Sequence, residues 1–374
     1  MKRLIFSLPI VILIFAGCGK APEKKELTVI KPADKLSEQE MLLGFLEKHG
    51  NYINDAETPN LVQADEVFAN LANPAYYFID MRPAEDFEKG HVSAAYNIKF
   101  AELLNHFRDS INPSLYDKII MICKDGQTAS YATALLRLAG HGNVFALKWG
   151  MASWNKQFSG YWSENTSSAY EKNFDTVAVS QPAAGSYPVL KTGAKSPEKI
   201  LQKRIEALFA EEQGSFRVKA ENVLTDSGNL FIINYSDTNK YNSGHLKGAV
   251  LYKNRESLLS TASLKTLPTD KKIVVYCETG TKAAFVTAYL RLLGYDAYAI
   301  AYGINGLIYN TAKNNGWPVY SAEASGDFPV ITGSETIVPK VEVTATTSQS
   351  QSAAPATNNP PVKKQKKSAS GGCG

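Results

Sequence analysis

The feature that most limits the fold of this 374-residue chain is an internal repeat, in which the sequence aligns with itself at an offset of 154 residues (245 − 91 and 277 − 123). Gly90-His91 recurs as Gly244-His245, and Cys123 recurs as Cys277. A Thr-Ala-x-Leu-Arg-Leu-x-Gly segment also recurs at this offset. Because solenoid repeats have periods of about 20–50 residues, a period this long indicates two copies of a whole domain.

The overall composition is that of ordinary globular domains. Hydrophobic residues make up 44% of the chain and charged residues 20%, which excludes a disordered chain, a collagen and a many-spanning membrane protein. The formal net charge is +4, and Lys2, Arg3 and the lysines of the C-terminal tail account for that excess. Since neither copy is strongly basic, nucleic acid is not an expected partner. Nothing in the sequence identifies a protein partner.

The first seventeen residues have the pattern of an export signal. Lys2 and Arg3 precede an apolar run, residues 4–16, that is short for a membrane-spanning helix. The sequence Phe-Ala-Gly-Cys that ends at Cys18 resembles a bacterial lipobox, which predicts removal of residues 1–17 and lipidation of Cys18. The protein would then work in the bacterial cell envelope, held to a membrane by lipid and facing the periplasm or the exterior. A plain signal peptide, cut near a small residue, is the alternative.

Each copy alternates strand and helix patterns. Ser37 and Glu40 form a capping box that predicts a helix from Ser37 to His49, and Ser196-Pro197 begins the corresponding helix of copy two. Short apolar runs between the helices suit strands that are buried on both faces of a parallel sheet. These runs are residues 76–79, 119–122, 144–147, 230–233, 273–276 and 298–300. The expected fold class is therefore α/β, with a parallel sheet flanked by helices in each copy.

Changes in composition set the predicted domain limits. A polar tether covers residues 18–36, and the two domains cover residues 37–163 and 196–322. A linker rich in Ser, Ala and Gly, residues 164–195, joins them. From residue 323 to 374 the sequence is dominated by Thr, Ser, Gln, Pro and Lys, which predicts a disordered C-terminal tail.

Cys123 and Cys277 occupy the same local context. Each follows an apolar strand and precedes a helix, which is where ligands bind in open α/β sheets. Gly at the fourth place of each loop lets the backbone curl so that several N–H groups point inward. The helix N-terminus would lower the pKa of a thiol there and favour bound anions. The candidate residues are Cys123, Lys124, Asp125, Gly126, Gln127 and Thr128 in copy one, and Cys277, Glu278, Thr279, Gly280, Thr281 and Lys282 in copy two.

Three other interpretations of these cysteines are not favoured. A free Cys is often only a small buried hydrophobic residue, but two in the same context favour chemistry. A cysteine phosphatase needs Arg six places after the Cys, where Ala129 and Ala283 stand. A disulfide between Cys123 and Cys277 is not expected, because each would lie at the bottom of its own loop.

The longer pattern of copy one resembles the rhodanese (sulfurtransferase) family. Asp80-Met81-Arg82 leads to a Gly-His-Val-Ser-Ala segment at residues 90–94, which follows the family's D-x-R…G-H-I-x-G-A stretch. Residues 123–128 match its six-residue C-x-x-G-x-[RT] loop. Copy two keeps Gly-His and the loop, but Asn234 and Ser236 stand where the family has Asp and Arg. The resemblance covers roughly residues 60–163 and 217–322 and implies two rhodanese domains in tandem.

This resemblance implies a sulfurtransferase that works through a cysteine persulfide. Cys123 or Cys277 would take the outer sulfur of a donor such as thiosulfate, release sulfite, and pass the sulfur to cyanide or a thiol. Residues 124–128 and 278–282 would bind the substrate, with Lys124 attracting the anionic donor. No cofactor is expected, and no metal either, because the four cysteines form no C-x-x-C motif and none pairs with His at metal-ligand spacing. The alternative is a rhodanese-like binding or regulatory module without turnover, at least in copy two.

Four further residues are expected to have structural roles. Asp80 and Arg82 would form an ion pair that copy two lacks, so Cys123 is expected to be the principal sulfur acceptor. The rings of His91 and His245 are expected to tie a turn to the backbone, with a role as general base as the alternative.

Cys373 lies near the end of the tail, and both a thiol without a role and a mobile sulfur acceptor stay open for it.

Overall fold

The computed structural model describes residues 36–337. It contains two five-stranded parallel sheets, each flanked by helices, so the predicted α/β fold class is confirmed. The predictions for the signal segment, Cys18, Cys373 and most of the tail lie outside the described residues. Within residues 36–337, no helix is long and apolar enough to cross a membrane.

The first domain consists of seven helices and five strands. The helices are α1 (Glu38–Lys48), α2 (Ala64–Ala69), α3 (Ala84–Glu88), α4 (Leu103–Asn105), α5 (Gln127–Leu138), α6 (Met151–Trp154) and α7 (Gly160–Ser163). The strands are β1 (Leu61–Val62), β2 (Tyr76–Asp80), β3 (Ala95–Asn97), β4 (Lys118–Ile122) and β5 (Val144–Leu147). The sheet order is β1-β5-β4-β2-β3, which puts β4, the strand that leads into Cys123, at its centre.

A short strand in the linker, β6 (Phe174–Asp175), leads to a second domain with the same topology. Its helices are α8 (Pro197–Phe209), α9 (Ala220–Thr225), α10 (Thr238–Ser243), α11 (Thr281–Leu292) and α12 (Tyr309–Asn314). Its strands are β7 (Arg217–Val218), β8 (Leu230–Ser236), β9 (His245–Leu246), β10 (Val250–Lys253), β11 (Lys272–Tyr276) and β12 (Ala297–Ile300). The sheet order is β7-β12-β11-β8-β10, so β11 places Cys277 where β4 places Cys123.

Local sequence signals account for the helix starts. The Ser37 hydroxyl accepts a hydrogen bond from the Glu40 N–H at 3.2 Å, and the Glu40 carboxylate accepts one from the Ser37 N–H at 3.0 Å. This is the predicted capping box, and α1 begins at Glu38, directly after Ser37. In the second domain Ser196 caps α8, and Pro197 occupies its first turn.

The two domains share one hydrophobic core. Helix α5 packs against α11 across the domain boundary, and α1 packs against α8. Eleven of the twelve residues of α5 are buried, because the helix is covered by its own sheet on one side and by the second domain on the other. This packing brings the two cysteine loops, each at the N-terminus of its helix, to the same region of the molecule.

Each domain is also covered by the segment that follows the other domain in sequence. The linker after the first domain covers the second, and the segment after the second domain covers the first. In the linker, β6 pairs antiparallel with β9 of the second domain, with Asp175 opposite His245. Residues 326–337, here called the C-terminal strap, return to the first domain, where Ile331 pairs antiparallel with His91. The two histidines related by the repeat are therefore each covered by a backbone segment from outside their own sheet.

The expected disorder from residue 323 does not hold for residues 323–337. The Phe328 ring stacks on Phe68 with centroids 4.3 Å apart, and the Trp154 indole N–H donates to the Pro329 carbonyl at 2.9 Å. The composition of residues 323–337 does not predict these contacts. The segment is held by one aromatic side chain and by backbone pairing, and it shows no apolar periodicity that would indicate a strand or a helix.

Candidate active site

Each cysteine lies at the carboxyl end of a central strand and is followed by a tight loop into a helix. Gly126 and Gly280 take the left-handed backbone conformation, with φ of 84° and 79°, immediately before α5 and α11. Only glycine adopts this conformation without strain, which accounts for its place in both loops. Cys123 and Cys277 are both buried free thiols.

Backbone N–H groups surround the Cys123 sulfur. The N–H groups of Gly126 and Ala129 donate to Sγ at 3.1 and 3.3 Å. At Cys277 the N–H of Ala283 donates to Sγ at 3.3 Å. Such donors stabilise negative charge that develops on the sulfur or on an atom bound to it.

A second glycine closes each loop from behind. A Cβ atom on Gly150 would lie 2.3 Å from the Cys123 carbonyl oxygen, and one on Gly303 would lie 2.2 Å from that of Cys277. The N–H groups of Met151 and Ile304, the residues that follow these glycines, donate to the same carbonyls at 2.9 and 3.0 Å. This second glycine therefore fixes the cysteine backbone by its close approach to the loop.

Cys123 opens onto a cavity at the domain boundary. The cavity has a volume of about 320 Å³, within the range of small-ligand sites. Residues of both domains line it: Arg82, Pro83, Cys123, Lys124, Asp125, Thr128, Glu212, Gln213 and Arg217. Arg82 is among these lining residues, and its guanidinium already donates to the Asp80 carboxylate and to the Gly90 carbonyl.

The resting Cys123 thiol differs from the thiolate that the helix N-terminus predicts. Burial raises the pKa of Cys123 to about 12, and the neighbouring Asp125 carboxylate adds to the rise. The thiol lies 3.7 Å from Oδ1 of Asp125, the acceptor of its proton. The amide donors oppose this shift but do not outweigh desolvation. The expected low pKa is therefore wrong for the resting site.

Asp125 forms an ion pair that crosses the domain boundary. Its Oδ2 lies 2.7 Å from Nη1 of Arg217, which comes from β7 of the second domain. Its Oδ1 accepts the N–H of Gln127 at 2.9 Å. The negative charge beside the sulfur is thus held in place from both sides.

The residue after each cysteine belongs to an ion pair, and the two pairs have opposite polarity. In the first domain Lys124 Nζ lies 2.7 Å from Asp86. In the second domain Glu278 lies 2.6 Å from Nζ of Lys240, and these positions correspond to Lys124 and Asp86 at the repeat offset of 154 residues. The pairing of Lys124 with Asp86 reduces the free positive charge that it was expected to offer a donor.

The loop of Cys277 is more tightly closed. Glu278 is buried between Lys240 and Lys282, and the distance to Lys282 is 2.9 Å. Burial alone would raise the pKa of Glu278, but the two lysines hold that pKa below its ordinary value. A cavity of about 210 Å³ lies at this loop, lined by residues of both domains that do not include Cys277. Those residues are Pro59, Leu61, Lys148, Trp149, Lys240, Glu278, Thr279, Thr281, Lys282 and Pro318.

Gln127 and the second loop are in direct contact. The Gln127 side-chain oxygen accepts the N–H of Tyr302 at 2.7 Å, and a Cβ on Gly280 would lie 2.4 Å from that oxygen. In the second loop the hydroxyls of Thr279 and Thr281 bond to each other at 2.7 Å. Gln127 therefore links the first loop to the second domain, and Thr281 bonds within its own loop. Neither side chain is bonded to a cysteine sulfur.

The residues expected to be structural are each held by contacts within the fold. Asp80 and Arg82 form a fully buried ion pair, and the shortest distance is 2.6 Å. In the second domain the Ser236 hydroxyl donates to Asn234 instead. The rings of His91 and His245 each lie within 3.0 Å of two backbone carbonyls, one of them in a covering segment, Glu335 or Val177.

Sequence reasoning missed Arg217, Asp86 and Lys240. The offset of 154 residues applied to the loop would have shown the reversed pair of Asp86 and Lys240. Arg217 carries no such signal, because it approaches Asp125 from the other domain. Among the described residues, no group of three or more His, Cys, Asp or Glu side chains could hold a metal ion.

A doubled parallel α/β sheet with a cysteine-loop site in each half defines the class of this protein. The family model described as the rhodanese-like domain matches residues 63–157 and 219–308. The chain thus contains two rhodanese-like domains in tandem, and each match includes one cysteine loop.

Curated relatives match over a single region. A tRNA uridine(34) hydroxylase of Sodalis glossinidius (strain morsitans) is 29% identical over 107 residues, which is 28% of this chain and 30% of that protein. The protein of the same description from Erwinia tasmaniensis is 30% identical over 99 residues, 26% of this chain and 28% of that protein. The chain therefore spans less than a third of the length of these relatives.

Solved structures match over one or both domains. A rhodanese-like domain from Anabaena sp. is 27% identical, with a TM-score of 0.24, and the match covers 25% of this chain and 72% of that one. A thiosulfate sulfurtransferase from Pseudomonas aeruginosa is 13% identical, with a TM-score of 0.25, and the match covers 78% of this chain and 70% of that one.

Proposed function

We propose that the protein is a sulfurtransferase that moves sulfane sulfur from a donor such as thiosulfate to a thiol or cyanide through a persulfide on Cys123. The observation that carries the proposal is the Cys123 sulfur, which lies at a cavity with backbone N–H groups of Gly126 and Ala129 pointing at it. No cofactor is needed for this chemistry, since the sulfur atom itself is transferred.

The loading step uses Cys123 as a nucleophile in its thiolate form. The Cys123 sulfur forms a bond to the outer sulfur of thiosulfate, and the sulfur–sulfur bond of the donor breaks. Sulfite leaves with the electron pair of that bond, and the thiol proton leaves with sulfite or to water. The product is a Cys123 persulfide whose terminal sulfur carries negative charge, which the loop amides stabilise.

The unloading step restores the thiol. Cyanide or an acceptor thiolate attacks the terminal sulfur, the new persulfide bond breaks, and the electron pair returns to Cys123 Sγ. The amide donors that held the persulfide then stabilise the cysteine as leaving group.

The two cysteines provide a matched test. In a thiosulfate-to-cyanide assay of the full chain, Cys123→Ser should abolish most of the activity, whereas Cys277→Ser should cost less. The reason is that Cys123 lines the cavity at its loop, whereas Cys277 is not among the residues that line the cavity at the second loop. Equal losses, or a larger loss from Cys277→Ser, would overturn the assignment.

A binding or regulatory role is the second candidate for the second domain. The supporting observation is the buried Glu278 held between Lys240 and Lys282 beside Cys277. If the domain is such a module, Cys277→Ser should leave sulfur transfer unchanged. Sulfur found on Cys277 after exposure to donor would exclude this role.

We also propose that the mature protein is a lipoprotein of the bacterial cell envelope, cut before Cys18. The support is the charged start, the short apolar run and the Gly17-Cys18 junction. Cys18→Ser should abolish acylation and release the protein from the membrane fraction. A variant that stays uncut and membrane-bound would contradict the lipoprotein proposal.

A further inference from the structure

We propose that Arg217, supplied by the second domain, determines the specificity of the Cys123 site by neutralising Asp125, so that an anionic sulfur donor can approach the thiol. This inference rests on the proposed sulfur transfer and adds a residue that acts from outside the cysteine's own domain.

The geometry makes Arg217 the cation that pairs with Asp125. Its guanidinium reaches across the domain boundary to Oδ2 at 2.7 Å, and both residues line the cavity of Cys123. Asp125 is 3% exposed, so its charge is poorly screened by water. Its other oxygen lies 3.7 Å from the sulfur that must meet the donor.

The remaining cations of the cavity already have partners. Arg82 pairs with Asp80 at 2.6 Å, and Lys124 pairs with Asp86 at 2.7 Å. Without Arg217, Asp125 would therefore add an uncompensated negative charge next to the sulfur. A dianion such as thiosulfate would be repelled, whereas a neutral reagent of the same chemistry would not.

The second site shows that this cation is not a general part of the fold. Leu61 is the first residue of β1, as Arg217 is the first residue of β7, and the two strands have the same place in their sheets. Leu61 lines the cavity at the Cys277 loop, where Arg217 lines that of Cys123. Each domain thus gives the other one edge-strand side chain, and only one of the two is charged.

The experiment compares an anionic donor with a neutral reagent on the full chain. Thiosulfate is the dianion. Methyl methanethiosulfonate is neutral, and the thiol attacks its outer sulfur in the same way, so that a disulfide forms, methanesulfinate leaves and a proton is lost. Rate constants for modification of Cys123 by each reagent are measured by mass spectrometry in a Cys277→Ser background. Their ratio removes any change in the pKa of the thiol itself.

Arg217→Gln should lower the ratio of thiosulfate to neutral-reagent rates about 10- to 100-fold, from the loss of a charged hydrogen-bonded partner. Asp125→Asn combined with Arg217→Gln should restore the ratio to within about threefold of the parent, because the carboxylate that Arg217 pairs with is then absent. Arg217→Lys, which keeps the charge, should restore part of it. Arg255→Gln is the matched control, since Arg255 also reaches the first domain, at the Thr58 carbonyl, and should leave the ratio unchanged.

Two kinds of failure are distinguishable. If the parent Cys123 reacts with the neutral reagent but never gains sulfur from thiosulfate, the proposed function is wrong. If thiosulfate loads the parent and Arg217→Gln leaves the ratio unchanged, or if the double variant is not restored, the role of Arg217 is wrong. Should Arg217→Gln fail to fold, Arg217→Lys against the double variant gives the same comparison.

Discussion

Cys123 combines two properties that a nucleophile does not usually have together. Its sulfur receives two amide hydrogen bonds, yet burial and Asp125 raise its pKa to about 12. At neutral pH the resting group is therefore a thiol, which resists oxidation and stray alkylation because the thiolate is the reactive form. Loading must then depend on the small fraction of thiolate, or on a donor whose binding changes the site.

The raised pKa predicts the pH dependence of alkylation. Because the thiolate fraction rises about tenfold per pH unit below the pKa, the rate of reaction of Cys123 with iodoacetamide should increase steadily from pH 7 to 10 without a plateau. Asp125→Asn removes one of the two causes and should move the profile to lower pH. A Cys277→Ser background isolates the signal, and a plateau below about pH 8 would contradict the raised pKa.

The buried ion pair of Asp80 and Arg82 predicts unequal losses of stability for substitutions at equivalent positions of the two domains. Asp80→Asn leaves a fully buried guanidinium without its carboxylate and should lower the free energy of unfolding by about 3 kcal/mol. Asn234→Ala, at the equivalent place in the second domain, removes only hydrogen bonds between neutral groups, with Ser236 and Tyr276, and should cost less, about 1 to 2 kcal/mol. Urea denaturation of both variants checks the difference, and equal losses would count against it.

At the scale of single residues, the sequence predicted the two cysteine loops but not the charged residue that reaches the first loop from the other domain. Cys123, Gly126 and the buried pair of Asp80 and Arg82 follow from a pattern within one domain. Arg217 does not, because its role depends on how the domains pack and not on its neighbours in sequence. The raised pKa of Cys123 was missed as well, since burial and the Asp125 carboxylate outweigh the helix N-terminus that the pattern shows.

At the scale of elements, each site is a strand, a loop and a helix held from behind by a glycine turn. The sequence shows the glycine, but only the three-dimensional structure shows that it closely approaches the cysteine loop. Gly150 and Gly303, with φ of 60° and 54°, do the same task in the two domains. Their similarity allows one to serve as the control for the other.

Gly150→Ala should disable the first site selectively. Its Cβ would meet the Cys123 carbonyl oxygen, so the loop must shift, and a displacement near 1 Å can lower a rate about 100-fold. Gly303→Ala imposes the same strain on the Cys277 loop and should leave thiosulfate loading of Cys123 within about twofold of the parent. Loading rates from intact-protein mass spectrometry decide the matter. Comparable losses in the two variants would show that the close approach at Gly150 has no specific role.

At the scale of the whole molecule, the duplicated domains are interlocked. The linker covers the second domain at His245, and the C-terminal strap covers the first at His91. The repeat and the fold class could be read from the sequence, because buried parallel strands and cysteine loops recur at one offset. The interlocking could not, because residues 323–337 have the composition of a tail.

The C-terminal strap should stabilise the first domain. Phe328→Ala removes an aromatic ring packed on Phe68 and Trp154, and it should lower the free energy of unfolding by about 2 kcal/mol. Ile337→Ala, on the same segment but 48% exposed, should change it by less than about 0.5 kcal/mol. Urea denaturation followed by tryptophan fluorescence measures both changes. A null effect of Phe328→Ala would show that the strap contributes little to the fold.

The central claim is that sulfur passes through Cys123, and one measurement tests it most directly. The full chain is treated with thiosulfate, freed of excess donor, and mapped by peptide mass spectrometry for the gain of one sulfur atom on each cysteine. The account predicts the added sulfur on Cys123, its loss on addition of cyanide, and no loading in Cys123→Ser. Sulfur on Cys277 with Cys123 unmodified, or no added sulfur on either, would contradict it.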